Sequence, residues 1–289
     1  MEMNKGLDIE VLLENSKQAG IEFKEFSQEK TDVILKAVYE AGFNARIHLA
    51  KKAWEETGVG KWEDKVIKNI IATRFVYNDI KDQKTVGIIS ENSELGITEI
   101  AHPMGPIFAT TPITNPTSTA LFKILIAIKS RNPIIISPHG AAKKSTIETA
   151  KICYEAAIEA GAPKNCIQWI KRATKEQVLE IMSHKKTALI LATGSVGLVK
   201  AAYSSGNPAI GVGPGNVPVY IGKSSDVEFA IQQIVMSKTF DNGTICASEQ
   251  AIVIPKINIE RARNEFIKQK AYFMTDEQVK MLEPVAFSK

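Results

Sequence analysis

Three cysteines, Cys153, Cys166 and Cys246, occur in the 289 residues, and only the last has surroundings suited to chemistry. Cys246 lies in Phe240-Asp241-Asn242-Gly243-Thr244-Ile245-Cys246-Ala247-Ser248-Glu249-Gln250, between a long helical pattern and an apolar strand over 251–254. An irregular, glycine-containing approach suits a reactive thiol, because a free thiol with a pKa of about 8.5 already carries a few per cent thiolate near neutrality. The competing reading is a small packing residue, the commonest role of an isolated cysteine. That reading fits the other two better: Cys153 falls inside a helical pattern over 147–160, and Cys166 opens a strand. The thiols show no paired or metal-ligand spacing and the four histidines are scattered, so reduced thiols and no bound metal are expected.

A second chemical feature is Thr193-Gly194-Ser195-Val196-Gly197, which follows a strand and opens a helix. Backbone N–H groups and the positive end of the helix would lie where a pyrophosphate could sit, although many such turns are connections only. The later cluster Gly211-Val212-Gly213-Pro214-Gly215-Asn216 does not meet the dinucleotide fingerprint, because Pro214 interrupts it and a strand follows. Its expected role is a close-packed crossover between two strands.

The elements that must position these residues are legible as periodicity. From 29 to about 79 the spacing of Ile34, Val38, Phe43, Ala45, Leu49 and Ala53 predicts helices packed on a sheet. A hairpin is expected within 84–103 around Ser90-Glu91-Asn92-Ser93-Glu94. Beyond Pro103, strands at 106–110, 133–136, 167–170, 188–191, 209–212 and 218–221 alternate with amphipathic helices, so the class is α/β with a parallel sheet covered on both faces. Ser145-Thr146-Ile147-Glu148 and Ser225-Asp226-Val227-Glu228 read as capping boxes, and Gly161 followed by Pro163 as a helix stop.

Composition narrows the function classes. Hydrophobic residues at 44% can build a substantial core, and a formal net charge of +4 without a basic stripe argues against nucleic acid as a partner. The start lacks an apolar signal core and the greasy stretches are broken by Lys123, Lys129 and Arg131, so a cytoplasmic protein without a membrane span is expected.

Several segments occur in a telling order: Glu63-Asp64-Lys65-Val66-Ile67-Lys68-Asn69, Thr114-Asn115-Pro116-Thr117-Ser118-Thr119, Arg131-Asn132-Pro133, Ser137-Pro138-His139, Lys200-Ala201-Ala202-Tyr203-Ser204-Ser205-Gly206, the 211–216 cluster and 237–250. Together they resemble the aldehyde dehydrogenase half of bifunctional aldehyde–alcohol dehydrogenases, over essentially the whole chain. The resemblance implies a Rossmann-type NAD-binding domain over 1–213, with 84–103 as an oligomerisation hairpin, and an incomplete α/β catalytic domain over 214–289. Truncation at the C-terminus and no iron-dependent alcohol dehydrogenase module are expected.

It further implies oxidation of a short aldehyde, acetaldehyde by default, to acyl-CoA with NAD, and the reverse reduction, in a homo-oligomer. Cys246 would be the nucleophile and Asn115 an oxyanion donor, against the plainer reading of Asn115 as a turn or helix-capping residue. Ser137, Pro138 and His139 would approach the adenosine ribose, and Thr193, Gly194, Ser195 and Gly197 the pyrophosphate. Hydrolytic relatives carry a glutamate just before the glycine-rich connection; the corresponding Ile210-Gly211-Val212-Gly213 has none, which favours transfer to CoA over hydrolysis. A hydrolytic dehydrogenase and a non-catalytic subunit are the alternatives.

Overall fold

The computed structural model describes residues 7–286. The chain divides into two compact units, Met1–Pro214 and Gly215–Lys289. The first opens with helices whose starts are set by side-chain caps. Asp8 accepts from the Val11 amide at the head of α1 (Ile9–Lys24), and Ser27 from the Lys30 amide at the head of α2 (Gln28–Asn44). Helix α3 (Arg46–Thr57) stops at Gly58, whose φ of 65° suits glycine, and α4 (Trp62–Ile70) passes through a π-helical turn, Ile71–Phe75, into α5 (Val76–Ile80). Strands β1 (Gly87–Asn92) and β2 (Ile97–Ala101) then form an exposed antiparallel hairpin.

Five parallel strands follow, each joined to the next by a helix. They are β3 (Ile107–Thr110), α6 (Pro116–Lys129), β4 (Ile134–Ser137), α7 (Lys143–Glu159), β5 (Ile167–Trp169), α8 (Lys175–Ser183), β6 (Leu189–Thr193), α9 (Val196–Tyr203) and β7 (Ala209–Val212). Their order in the sheet is β5-β4-β3-β6-β7. From β3 the chain builds outward to β5, then returns to lay β6 on the other side of β3. The connections after β3 and β6 therefore diverge and leave a crevice at their carboxyl ends. Both faces of the sheet are covered: Ile134 and Ile136 join the core formed with Phe23, Ile34 and Ile124, while Ile135 joins Leu13, Phe108 and Ile190 on the opposite face. Burial on both sides is why β3 and β4 read as continuous apolar runs, whereas the edge strand β7 leaves Ile210 and Val212 exposed.

Two helix starts depart from the sequence reading. Helix α7 begins at Lys143, so Ser145 and Thr146 lie inside its first turn and donate back to the Ala142 carbonyl. Its leading amides, on Lys144 and Ser145, are satisfied instead by the Glu56 carboxylate from α3, at 2.7 Å each. Glu148 faces His48 and Lys52. In the second unit Asp226, not Ser225, caps the helix, accepting from the Phe229 amide.

That second unit is a parallel βαβ motif: β8 (Val217–Tyr220), α10 (Val227–Thr239) and β9 (Glu249–Val253), followed by α11 (Ile259–Lys268) and α12 (Asp276–Ala286). Ile221, Val227, Ile231, Ile234 and Ala262 form its core. Among the described residues no helix is long and apolar enough to cross a membrane.

The crevice between β3 and β6 is pinned by one buried cation. Lys123 on α6 donates to the Thr110 carbonyl (2.8 Å), the Leu191 carbonyl (2.7 Å) and the Thr193 hydroxyl (2.8 Å). Burial pushes its ammonium down to about 7. Between that value and the ordinary lysine range near ~10.4, the unfolded chain holds a proton that the folded chain has released. Stability therefore rises with pH across this window, and the cost of burying the charge is fully present below it. In urea unfolding followed by tryptophan fluorescence, the stability of wild type relative to Lys123→Met should climb as pH is raised from about 7 to about 10. All three tryptophans, Trp54, Trp62 and Trp169, lie in the first unit, so the signal reports it alone. A difference that stays flat over this range would show that Lys123 keeps its proton in the folded state.

Candidate active site

Strand β4 delivers Ser137 and Pro138 to the carboxyl edge of the sheet, where they line a cavity of about 180 Å³ with Gly140, Lys143, Lys171 and Val178 among others. His139 turns elsewhere. Its Nδ1 accepts from the Ala141 amide at 3.2 Å, capping the short 3-10 turn Gly140–Ala142. Of the three residues expected at a ribose, the structure thus places two on a cavity and uses the third to shape the loop.

The Thr193–Gly197 turn is held at three points. Thr110 Oγ1 accepts from the Thr193 amide, the Gly194 amide donates to the Val212 carbonyl at 3.1 Å, and Ser195 Oγ accepts from the Leu198 amide to cap α9. The Val196 and Gly197 amides precede the first intrahelical acceptor, so neither has a partner within the helix, the arrangement that makes a helix N-terminus able to hold an anion. A Cβ on Gly194 would come within 2.7 Å of Leu198 Cδ2, whereas one on Gly197 would meet open space. Beside this turn a second, mainly apolar cavity of about 410 Å³ is lined by Val196, Val199, Lys200, Tyr203, Gly213 and Pro214.

Gly211 carries the close packing expected of its cluster. A side chain there would strike Val199 and Tyr203 of α9, and its amide donates to the Tyr203 hydroxyl at 2.9 Å.

Asn115 immediately precedes α6, yet its side chain makes no capping bond. Its Oδ1 accepts from Lys68 Nζ at 2.6 Å and its Nδ2 donates to Thr114 Oγ1 at 3.0 Å. Lys65 Nζ binds the Thr114 carbonyl, and Asn69 Oδ1 accepts from Thr117 Oγ1. Residues 65, 68 and 69 share one face of α4 and bracket the whole turn. By holding the amide oxygen, Lys68 fixes which side of Asn115 presents N–H. The 63–69 segment carried a family resemblance in the sequence, but a lysine pair at helical spacing reads as a solvated face, so the role of Lys68 was missed. Lys123 was missed for the same reason.

Asn115 belongs to the first unit and Cys246 to the second. Cys246 is exposed, whereas Cys153 and Cys166 are buried and burial pushes both thiols up to about 12. Among the three, Cys246 alone meets solvent. It follows a tight reversal in which Asp241, Asn242 and Gly243 all have positive φ (48°, 55° and 74°). The reversal is stabilised by the fully buried Asp241, whose carbonyl and carboxylate both accept from the Thr244 hydroxyl. Because β8 and β9 are parallel neighbours, the segments leading into them run side by side. Gly215 is pressed so closely on the Cys246 backbone that a Cβ there would overlap the Cys246 carbonyl oxygen.

The profile of the aldehyde dehydrogenase family matches residues 2–281. The chain belongs to the aldehyde dehydrogenase family. It is 48% identical over 278 residues to a bifunctional aldehyde-alcohol dehydrogenase of Escherichia coli K12, an alignment covering 96% of this chain and 31% of the relative. Two solved structures superpose with a TM-score of 0.91. One is a probable aldehyde dehydrogenase from Listeria monocytogenes (49% identity, 95% of this chain, 60% of that one). The other is an acetylating aldehyde dehydrogenase from Geobacillus thermoglucosidasius (48% identity, 97% and 62%). The chain therefore spans about a third of the bifunctional relative and about three fifths of the two structures.

Within this aldehyde dehydrogenase fold the thiols should separate by reactivity. Under native conditions iodoacetamide should alkylate Cys246, while Cys153 and Cys166 should react only after denaturation, as read by peptide mass spectrometry. Gly215→Ala should change the Cys246 rate, because the Cys246 carbonyl must move to admit the methyl group; Gly213→Ala, with only a 4.0 Å neighbour, should not. Equal native labelling of all three thiols would refute the assignment.

Proposed function

We propose that this chain supplies the cofactor-binding and thiol-bearing parts of an enzyme that oxidises a short aldehyde to its acyl-CoA and runs the reverse reduction. Acetaldehyde is the default substrate and NAD the hydride acceptor expected from the resemblance. The observation that carries the reading is the contrast among thiols: Cys246 is exposed on a backbone-anchored turn while the other two are buried.

In this reading the first unit is the dinucleotide domain and the second the start of the catalytic domain. The Thr193–Gly197 turn receives the pyrophosphate on the amides heading α9, and Ser137 and Pro138 face the adenosine ribose. The Cys246 thiolate adds to the aldehyde carbonyl, and Asn115 donates N–H to the developing oxyanion, oriented for this by Lys68. A bound dinucleotide would supply the hydride acceptor, leaving an acyl group on the Cys246 sulfur; the CoA thiolate would then take that acyl group, and the Cys246 thiolate would be released. The apolar run of β7 offers no carboxylate to activate water, which favours the thiol as acceptor. The hairpin β1–β2, with Ile88, Ile97 and Ile100 exposed, serves as an arm for assembly into a homo-oligomer.

Acyl transfer can be tested without the redox step. Incubation with acetyl-CoA should place an acetyl group on Cys246, read by peptide mass spectrometry. Cys246→Ser should abolish this thioester while Cys153→Ser and Cys166→Ser keep it. Asn115→Ala should slow its formation about a hundredfold, the usual cost of losing one oxyanion donor. Acetyl groups spread evenly over the cysteines would overturn the proposal.

A further inference from the structure

Nothing in the proposed chemistry uses the cations around the cavity at the ends of β4 and β5. Lys143 comes from the first turn of α7, and Lys171 and Arg172 from the segment directly after β5, yet all three line the same space of about 180 Å³. The strands that bring them there are fixed partners: β4 and β5 pair in parallel, and the ladder is extended by the Ile170 amide donating to the Ile136 carbonyl at 2.9 Å. Among the described residues none of the three cations makes a hydrogen bond or ion pair, and no carboxylate lines the cavity.

Two acids on adjoining segments, Glu56 and Glu176, are engaged elsewhere. Both Glu56 oxygens accept from the Lys144 and Ser145 amides. Glu176, in the first turn of α8, has its carboxyl held below the usual range by its own backbone amide and the Thr174 hydroxyl. Across the chain 36 basic residues face 32 acidic ones, so three cations without an acid in one small lining is a local departure from that balance. A Cβ on Gly140, on the rim, would meet nothing within 4 Å, which leaves the backbone open to a close-lying ligand.

A site for an unmodified adenosine ribose commonly sets a carboxylate against the ribose hydroxyls, whereas a phosphorylated ribose is met by a basic side chain. The geometry points to the second case: Lys143, Lys171 and Arg172 form a subsite for a phosphate carried on the ribose of an adenine nucleotide. The inference rests on the nucleotide reading of the same strand ends. Two ligands of the proposed reaction class supply this chemistry, a dinucleotide bearing a 2′-phosphate and coenzyme A with its 3′-phosphate. Arg172 can meet such a phosphate with a planar fork of donors, and the two lysines add point charges.

Three probes decide the matter in calorimetric titrations of the 289-residue protein: adenosine 5′-monophosphate, adenosine 2′,5′-bisphosphate and adenosine 3′,5′-bisphosphate. At least one bisphosphate should bind about tenfold or more tightly than the monophosphate, an advantage that shrinks as salt is raised. A lead for the 2′,5′ compound identifies the phosphorylated dinucleotide as the source, and a lead for the 3′,5′ compound identifies coenzyme A. Lys171→Ala with Arg172→Ala should bring the favoured bisphosphate down to the level of the monophosphate. Lys175→Ala, an exposed cation on α8 outside the lining, should leave the preference intact. Equal affinity for all three probes, or a preference that survives the double substitution, overturns the phosphate subsite while the nucleotide reading stands. Failure of all three to bind overturns both.

Discussion

The arrangement of this chain depends on holding open the point where strand order reverses. At the carboxyl ends of β3 and β6 the connecting segments part, and the carbonyls of Thr110 and Leu191 face the interior. Such groups are costly unless they find donors. Lys123 reaches them with a single side-chain nitrogen and contacts the Thr193 hydroxyl as well. One side chain thus satisfies carbonyls of two strands and fixes the first residue of the turn proposed to take a pyrophosphate. Thr110 doubles this link, since its hydroxyl accepts from the Thr193 amide and donates to the Thr193 carbonyl. An apolar residue at 123 would fill the space and leave the strand ends unpartnered.

The same device recurs one turn of chain away. Lys65 and Lys68 lie largely buried on α4 and contact the Thr114-Asn115 turn through its carbonyl and its amide oxygen. Both turns that the proposed chemistry needs are positioned from behind by lysines whose stems cross the core and whose heads bind oxygen. A positive charge behind Asn115 also polarises its amide, which strengthens the N–H groups as donors to a developing anion.

Much of the architecture was legible because parallel strands buried on both faces have a strong one-dimensional signature. The runs predicted at 106–110 and 133–136 emerge as β3 and β4, buried along their whole length. What escaped was long-range chemistry with short-range camouflage. Ser145 and Thr146 resemble caps, but the helix starts earlier, at Lys143, and its leading amides are taken by Glu56, about ninety residues away in sequence. Lys68 and Lys123 resemble solvated charges, and only the tertiary structure shows that their neighbours are carbonyl oxygens. Gly215 looked like part of a glycine connection, whereas its constraint comes from the Cys246 backbone across a strand pair.

That last contact explains how an exposed thiol can still have a defined position. Asp241 and Asn242, two successive non-glycine residues with positive φ, store local strain, and loops of this kind are free to move unless surrounding structure over-determines them. Here the restraint comes from both directions. Behind the thiol, buried Asp241 closes the reversal through Thr244; ahead of it, Ser248 donates from its amide and hydroxyl to the Ile245 carbonyl before β9 begins. Alongside, Gly215 brings the entry to β8 into contact with the Cys246 carbonyl. The backbone of Cys246 is therefore restrained where the segments entering β8 and β9 meet, while its side chain stays in solvent. The nucleophilic role proposed for Cys246 would need this combination, since its peptide N–H must keep its direction while its sulfur remains open to attack on a substrate.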